Sequence, residues 1–250
     1  MMAGNFLIGC AGWTLGRSRE SFPAEGSNLQ RYALMFRAVE INSSFHRPHR
    51  TSTYERWAAA VPESFRFSVK MPKSITHDRR FVDAIPILDP FLAEVAGLGQ
   101  KLGCLLVQMP PSMQLDVAIA TDFFETLRSK HAGAIVVEPR HSSWFGRGPD
   151  KLFNDLKLTR VAADPAVIAR AAEPGGIPAT IYYRLHGSPQ VYYSAYTEGY
   201  LDGLAFRLRS YAATGVPVWC IFDNTISGAA TANALYLARK IAAAEKARTN

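Results

Sequence analysis

IYYRLH, residues 181–186, carries the reading of the fold. Side chains alternate faces along a strand, so Tyr183 and Leu185 share one face while Arg184 and His186 share the other. One face suits packing beneath a helix. The other turns basic toward its C-terminal end. The pattern recurs on either side of this stretch. In Ala38–Ser43, Val39 and Ile41 oppose Glu40 and Asn42. In Phe65–Lys70, Phe65, Phe67 and Val69 oppose Arg66, Ser68 and Lys70. In Ala134–Glu138, Ile135 and Val137 oppose Glu138, whose parity Arg140 continues. In Val216–Asp223, Cys220 and Phe222 oppose Trp219, Ile221 and Asp223. Phe6–Gly12, Gly103–Gln108 and Leu158–Ala163 complete eight β-rich runs, spaced on average about 30 residues apart, the length of one βα unit.

Helical patterns fill most of the intervals. Thr51–Val61 places Ser52 and Glu55 at capping-box spacing and is stopped by Pro62. Asp116–His131 opens on an acid and closes on Arg128, Lys130 and His131, as the helix dipole favours. Gly199–Ala213 and Gly228–Ala247 are amphipathic. The interval 164–180 offers one short helix at best, and Pro-Gly-Gly at 174–176 reads as a loop. Strands alternating with helices predict a parallel sheet. Eight units in 250 residues predict an α/β fold: one domain over 1–250, a TIM-type (β/α)₈ barrel with a closed parallel eight-stranded sheet.

Composition narrows the class. Apolar residues make up 48 % and charged residues 20 %, which excludes disorder and fibrous repeats. No apolar run reaches the roughly 18 residues of a membrane span. Met1–Asn5 lacks a signal-peptide pattern. Cys10, Cys104 and Cys220 are an odd number, widely spaced and inside predicted strands, so they read as buried hydrophobes in a reducing, cytoplasmic setting. The formal charge is +7. Most of that excess lies in the C-terminal half, where Arg239, Lys240, Lys246 and Arg248 face only Glu245; this reads as a solvated basic face.

In a barrel the polar ends of the strands meet at one mouth, where active sites of that fold lie. Glu40, Asn42, Lys70, Gln108, Glu138, Arg140, Arg184, His186 and Asp223 are expected there. Such charges must pair in part, yet nine polar groups exceed what a structural plug needs.

Seven segments carry a resemblance: IGCAGW (8–13), VEINSSFHR (39–47), TYERWAAAVPESFRFSVKMPKSITH (53–77), LLVQMPPSM (105–113), VVEPRHSSW (136–144), YRLHG (183–187) and FDNTISGAATANALYL (222–237). Taken in order, they resemble the YecE-like family, domain of unknown function seventy-two. The resemblance implies a TIM-type barrel, akin in fold to sugar isomerases and apurinic endonucleases, and assigns no activity. The chain departs from the family pattern at Pro139, at Ser142 and Ser143, at Asp223 and in the Thr14–Ser21 loop, which bears on substrate detail.

Four chemistries compete at the expected mouth. A retaining glycosidase needs two carboxylates about 5 Å apart, and Glu40, Glu138, Asp164 and Asp223 are available. A metal-dependent hydrolase or phosphodiesterase could draw on His46, His77, His141 and His186 with Glu40, Glu138 and Asp223, although no HxH or HExxH pair is present. A nucleic-acid-binding or -processing protein could stack bases on Trp13, Phe45, Trp144, Tyr192, Tyr193 and Tyr196. The preferred reading is an enzyme, a hydrolase, lyase or isomerase, acting on a small anionic substrate by acid/base chemistry. In it Lys70, Arg140 and Arg184 hold the anion, and Glu138, His186 and Asp223 move protons. Lys70 is also a candidate Schiff-base amine. Glu40, Asn42, Gln108, Trp13, Trp144 and Tyr193 complete the expected binding set. No cofactor or metal is assigned; the expected partner is a small anion, with nucleic acid as the alternative and no membrane.

Overall fold

The structure, a computed structural model, describes residues 5–176 and 180–249, with side chains as far as 247. The N-terminal reading at 1–4, the end of the 164–180 interval at 177–179 and the Arg248 side chain lie outside these residues.

All eight β-rich runs form strands. They are β1 (Phe6–Cys10), β2 (Ala38–Ile41), β3 (Arg66–Lys70), β4 (Leu102–Gln108), β5 (Ala134–Glu138), the pair β6 (Thr159–Arg160) and β7 (Ala162–Asp164), β9 (Ile181–Leu185) and β10 (Val218–Phe222). A two-residue strand, β8 (Gly175–Gly176), was not expected. The helices are α1 (Asn28–Met35), α2 (Ser43–His46), α3 (Thr51–Ala59), α4 (Ile85–Val95), α5 (Val117–Lys130), α6 (Arg147–Asp155), α7 (Glu198–Ala212) and α8 (Ala229–Thr249). Side-chain caps set several of their starts. Ser27 and Gln30 close a capping box on α1, Asp116 caps α5 and Thr197 caps α7. The box expected from Ser52 and Glu55 does not form. The helix begins at Thr51, so Ser52 lies inside it and Arg50 occupies the cap without a side-chain bond.

The single closed parallel sheet is not what forms. The strands divide into a four-stranded sheet, β1-β10-β9-β7, and a six-stranded sheet, β2-β3-β4-β5-β6-β8. The second is mixed, because β8 pairs antiparallel with β6. Both seams have local causes. The sixth run breaks at Val161: β6 pairs with β5, whereas β7 pairs with β9. Between β1 and β2 the ladder is reduced to one isolated bridge, Ala11 to Glu40. There a side chain does the bonding. The Tyr32 hydroxyl, from α1, accepts from Cys10 N at 2.7 Å and donates to the Ala38 carbonyl at 3.1 Å. Gly9 makes this approach possible, since a Cβ there would lie 2.0 Å from the Ala38 oxygen.

The alternation of faces holds across both sheets. One face of each packs under the helices in a large cluster that includes Val39, Phe67, Leu105, Ile135, Tyr183 and Phe222. The opposite faces meet in a small second cluster, Leu7, Ala38, Cys104, Leu106, Val136, Val161, Tyr182, Trp219 and Ile221, with members from both sheets. Above this plug lie the charged ends of the strands. All three cysteines are free and buried. Among the described residues, no helix is long and apolar enough to cross a membrane.

Candidate functional site

Arg184, next to the end of β9, organises the charged layer. It is 0 % exposed. Its Nη2 and Nε donate to the two oxygens of Glu40 at 2.7 and 2.9 Å. Its Nη1 donates to Glu138 Oε2 at 3.0 Å, and Nη2 lies 2.9 Å from Asp223 Oδ2. One planar guanidinium thus joins carboxylates from β2, β5 and the end of β10, the fork geometry for which arginine is suited. Below it, the Tyr182 hydroxyl is 3.0 Å from Glu40 Oε2 and 2.9 Å from Ser68 Oγ.

His186 joins the same carboxylates. Its Nε2 is 2.9 Å from Glu138 Oε1 and its Nδ1 is 3.0 Å from Asp223 Oδ2. Both ring nitrogens face acceptors, the arrangement of a doubly protonated imidazolium. The surrounding charges agree. Burial opposes the charged ring, but the Glu138 charge and the hydrogen bonds to Asp223 and Glu138 outweigh it and raise the pKa. Burial likewise opposes ionisation of Glu138, yet the charges of His186 and Arg184 hold its carboxyl well below the usual range. Asp223 is lowered in the same way, with burial overcome by Arg184 and His186.

Lys70, at the end of β3, stands apart. It is only 8 % exposed. Its Nζ makes no hydrogen bond or ion pair among the described residues and rests 4.1 Å from the centroid of the Phe45 ring. Burial, joined by the Arg184 charge and only partly offset by Glu40, Asp223 and Glu138, lowers its pKa to about 8. Phe45 lies in α2, which is anchored on β3 because Ser44 Oγ donates to the Lys70 carbonyl at 2.7 Å. His77 packs against the same ring, centroids 4.9 Å apart. Burial and the charges of Lys70 and Lys73 lower the His77 pKa to about 4, so its ring is neutral. Arg140 is half-buried, with its Nε 3.8 Å from Glu138 Oε1. Asn42 reaches Asp223 Oδ1 with its Nδ2 at 3.4 Å and leaves its own Oδ1 buried without a partner.

The expected site therefore assembles in part. Glu40, Asn42, Glu138, Arg140, Arg184, His186 and Asp223 form one connected network, and Lys70 lies within its electrostatic reach without a bond to it. Gln108 is buried beside it, its Nε2 bonded to the Met109 carbonyl. Trp144 is not at an opening. It is fully buried against Phe81 and its Nε1 donates to the Met113 carbonyl, so no face of the indole is free. Trp13 packs edge-on against Trp57, and Tyr193 is exposed. Tyr196 is buried and ties Asp164 to the Gly187 amide, while Tyr192 meets the His186 ring at 5.8 Å. The four candidate histidine ligands fall in three places: His186 lies in the charged layer, His46 and His77 pack on the Phe45 ring, and His141 is held by Ser143. Among the described residues, no three His, Cys, Asp or Glu side chains are placed to hold a metal ion. Tyr182 and Ser68 were not expected at the site. Their parity with Arg184 and Lys70 was the available signal.

Comparison with known proteins places this architecture. A DUF72 family protein (EF0366) from Enterococcus faecalis V583 superposes with a TM-score of 0.78 at 18 % identity, covering 95 % of both chains. A DUF72 family protein (TM1631) from Thermotoga maritima MSB8 gives 0.75 at 23 % identity, covering 95 % of this chain and 99 % of that one. Among curated relatives, the UPF0759 protein YecE of Escherichia coli K12 is 24 % identical over 126 residues, 50 % of this chain and 46 % of that protein. The UPF0759 protein YunF of Bacillus subtilis 168 is 30 % identical over 113 residues, 42 % and 39 % of the two. The chain spans less than half the length of these curated relatives in the matched regions. The model of the family described as "Protein of unknown function DUF72" matches residues 7–250, so the chain belongs to the DUF72 family.

Proposed function

We propose that the protein is an enzyme acting on a small anionic substrate, a carboxylate or phosphate, at the polar ends of its strands by acid/base chemistry. One observation carries this reading. Three buried carboxylates surround Arg184 and are held by it and by His186; with Lys70 and Arg140 counted the layer carries one positive charge in excess, and Lys70 makes no ion pair among the described residues. A buried cation without an anion is unfavourable, and an incoming anion relieves it.

The roles divide accordingly. Lys70 and Arg140 meet the anion at the rim. Arg184, fully committed and fully buried, holds the carboxylates instead of the substrate. His186, with Glu138 and Asp223 on its two nitrogens, is a proton store that shares Asp223 with Asn42. Because the same carboxylates are already held by a guanidinium, they favour this reading over a cation site.

The test is a thermal-stability screen of the purified protein against phosphate, sulfate and small mono- and dicarboxylates, repeated with Lys70→Met and Arg140→Met. The reading requires saturable stabilisation that weakens at least tenfold in both variants. Stabilisation that survives both substitutions would move the anion elsewhere. Binding confined to random oligonucleotides, falling steeply with salt, would replace the small substrate with nucleic acid.

A further inference from the structure

We propose that Lys70 is a covalent nucleophile, which captures an aldehyde or ketone that also carries a carboxylate or phosphate as a Schiff base. This inference rests on the anion reading above and names the reaction class and substrate class for that site.

The geometry supplies what such a step needs. An attacking amine must be free of ion pairs, and Lys70 Nζ has none among the described residues although three carboxylates lie in the same layer. It must lose its proton near neutral pH, which burial and the Arg184 charge promote. It must be held in place. The Phe45 face does so at 4.1 Å, and the backbone of Lys70 is pinned through Ser44. It needs a proton acceptor that is itself uncharged. His77 shares the Phe45 ring. The Thr76 hydroxyl donates to the Pro72 carbonyl and so accepts from His77 Nδ1, 2.8 Å away. That leaves His77 Nε2 with a free lone pair. Arg140 is the remaining cation for the anionic group of the substrate.

The step balances without any redox partner. The neutral amine adds to the carbonyl carbon; the C–N bond forms, the carbonyl π pair moves to oxygen, and one nitrogen proton passes through His77 Nε2 to that oxygen, giving the neutral carbinolamine. The nitrogen lone pair then forms the C=N bond as the C–O bond breaks, and the second nitrogen proton, taken by His77 Nε2, is returned to the departing hydroxide, which leaves as water. Amine plus carbonyl becomes imine plus one water.

The experiment incubates the full chain with glyoxylate or pyruvate and sodium cyanoborohydride, with propanal and acetone as uncharged controls, and reads adducts by intact and peptide mass spectrometry. The expected result is a single adduct on Lys70, formed at least tenfold faster with the two anionic carbonyls than with the controls, and rising with pH through about 8. Lys70→Arg abolishes it while keeping the charge, and Lys70→Met does the same without it. His77→Gln slows capture by about 100-fold, as removal of a general base does. Adducts spread over surface lysines, with no enrichment at Lys70, overturn the inference. If acetate and phosphate still stabilise the protein in a Lys70-dependent way when no adduct forms, covalent capture fails and the anion site stands. If neither occurs, both fail.

Discussion

Arg184 and Lys70 are two basic side chains in one charged layer, 0 % and 8 % exposed, with opposite surroundings. Arg184 touches three carboxylates and is pushed to a still higher pKa because their charges outweigh its burial. Lys70 touches an aromatic face and, among the described residues, no carboxylate, and its pKa falls. The difference separates two uses of buried charge. A saturated cation organises the strand ends; an unsaturated one stores a preference for an anion or for losing its proton. Charge alone does not tell the two apart. The count of partners does.

The largest expected effect comes from removing the saturated centre. Arg184→Met leaves Glu40, Glu138 and Asp223 buried without their common counter-ion and should cost about 3–5 kcal/mol in denaturant unfolding. A loss below about 1 kcal/mol would erase the contrast between the two cations. Lys70→Met should act in the other direction. A lysine whose pKa is lowered from 10.5 to about 8 on folding destabilises the native state below pH 8. The variant should therefore be more stable than the parent at pH 7, by up to about 3 kcal/mol. The advantage should shrink as pH rises from 8 to 10.5, where the parent regains stability. Equal stability at all pH values would mean that Lys70 is solvated as an ordinary surface lysine is.

The pH profile of unfolding sharpens the comparison further. Glu138 and Asp223 are lowered on folding, so their contribution is complete above about pH 4 and lost as pH falls through their native values. His186 is raised, so its contribution is complete below about pH 6.5 and lost as pH rises through its native value. In His186→Gln the acid-side loss should persist and the His186 part of the alkaline loss should vanish; an unchanged alkaline side would remove the imidazolium from the network. The smallest effect belongs to the exposed Lys73–Asp78 pair at 3.0 Å. Lys73→Ala should change stability by less than about 0.5 kcal/mol, while the His77 pKa, read by NMR, should rise because one of the cations depressing it is gone.

Much of this was legible in the residues because period-two alternation needs no tertiary knowledge. Val39 against Glu40 and Leu185 against Arg184 already assign the faces that the two sheets use. The division into two sheets was not legible. It depended on Tyr32, a helix residue whose hydroxyl takes the place of ladder bonds, and on Val161, an apolar residue at which one β-rich run divides between sheets. Neither event alters the hydrophobic pattern. The same holds within the site. Nothing in the spacing of Phe45, Lys70 and His77 brings them together; α2 docking on β3 through Ser44 does. Trp144 shows the converse: it follows a strand, as loop aromatics at a mouth would, but its indole nitrogen finds the Met113 carbonyl and its ring joins the Phe81 core.

The tyrosine at the seam has one more consequence. The Cys10 amide lies inside a strand, yet the Tyr32 hydroxyl is its acceptor. Its exchange with deuterium is therefore governed by the undocking of α1 and not by fraying of a strand pair. Neighbouring amides of β1 bonded within the β1–β10 ladder should follow the opening of that ladder. Two amides a few residues apart would then time two different motions, and Tyr32→Phe would accelerate only one of them.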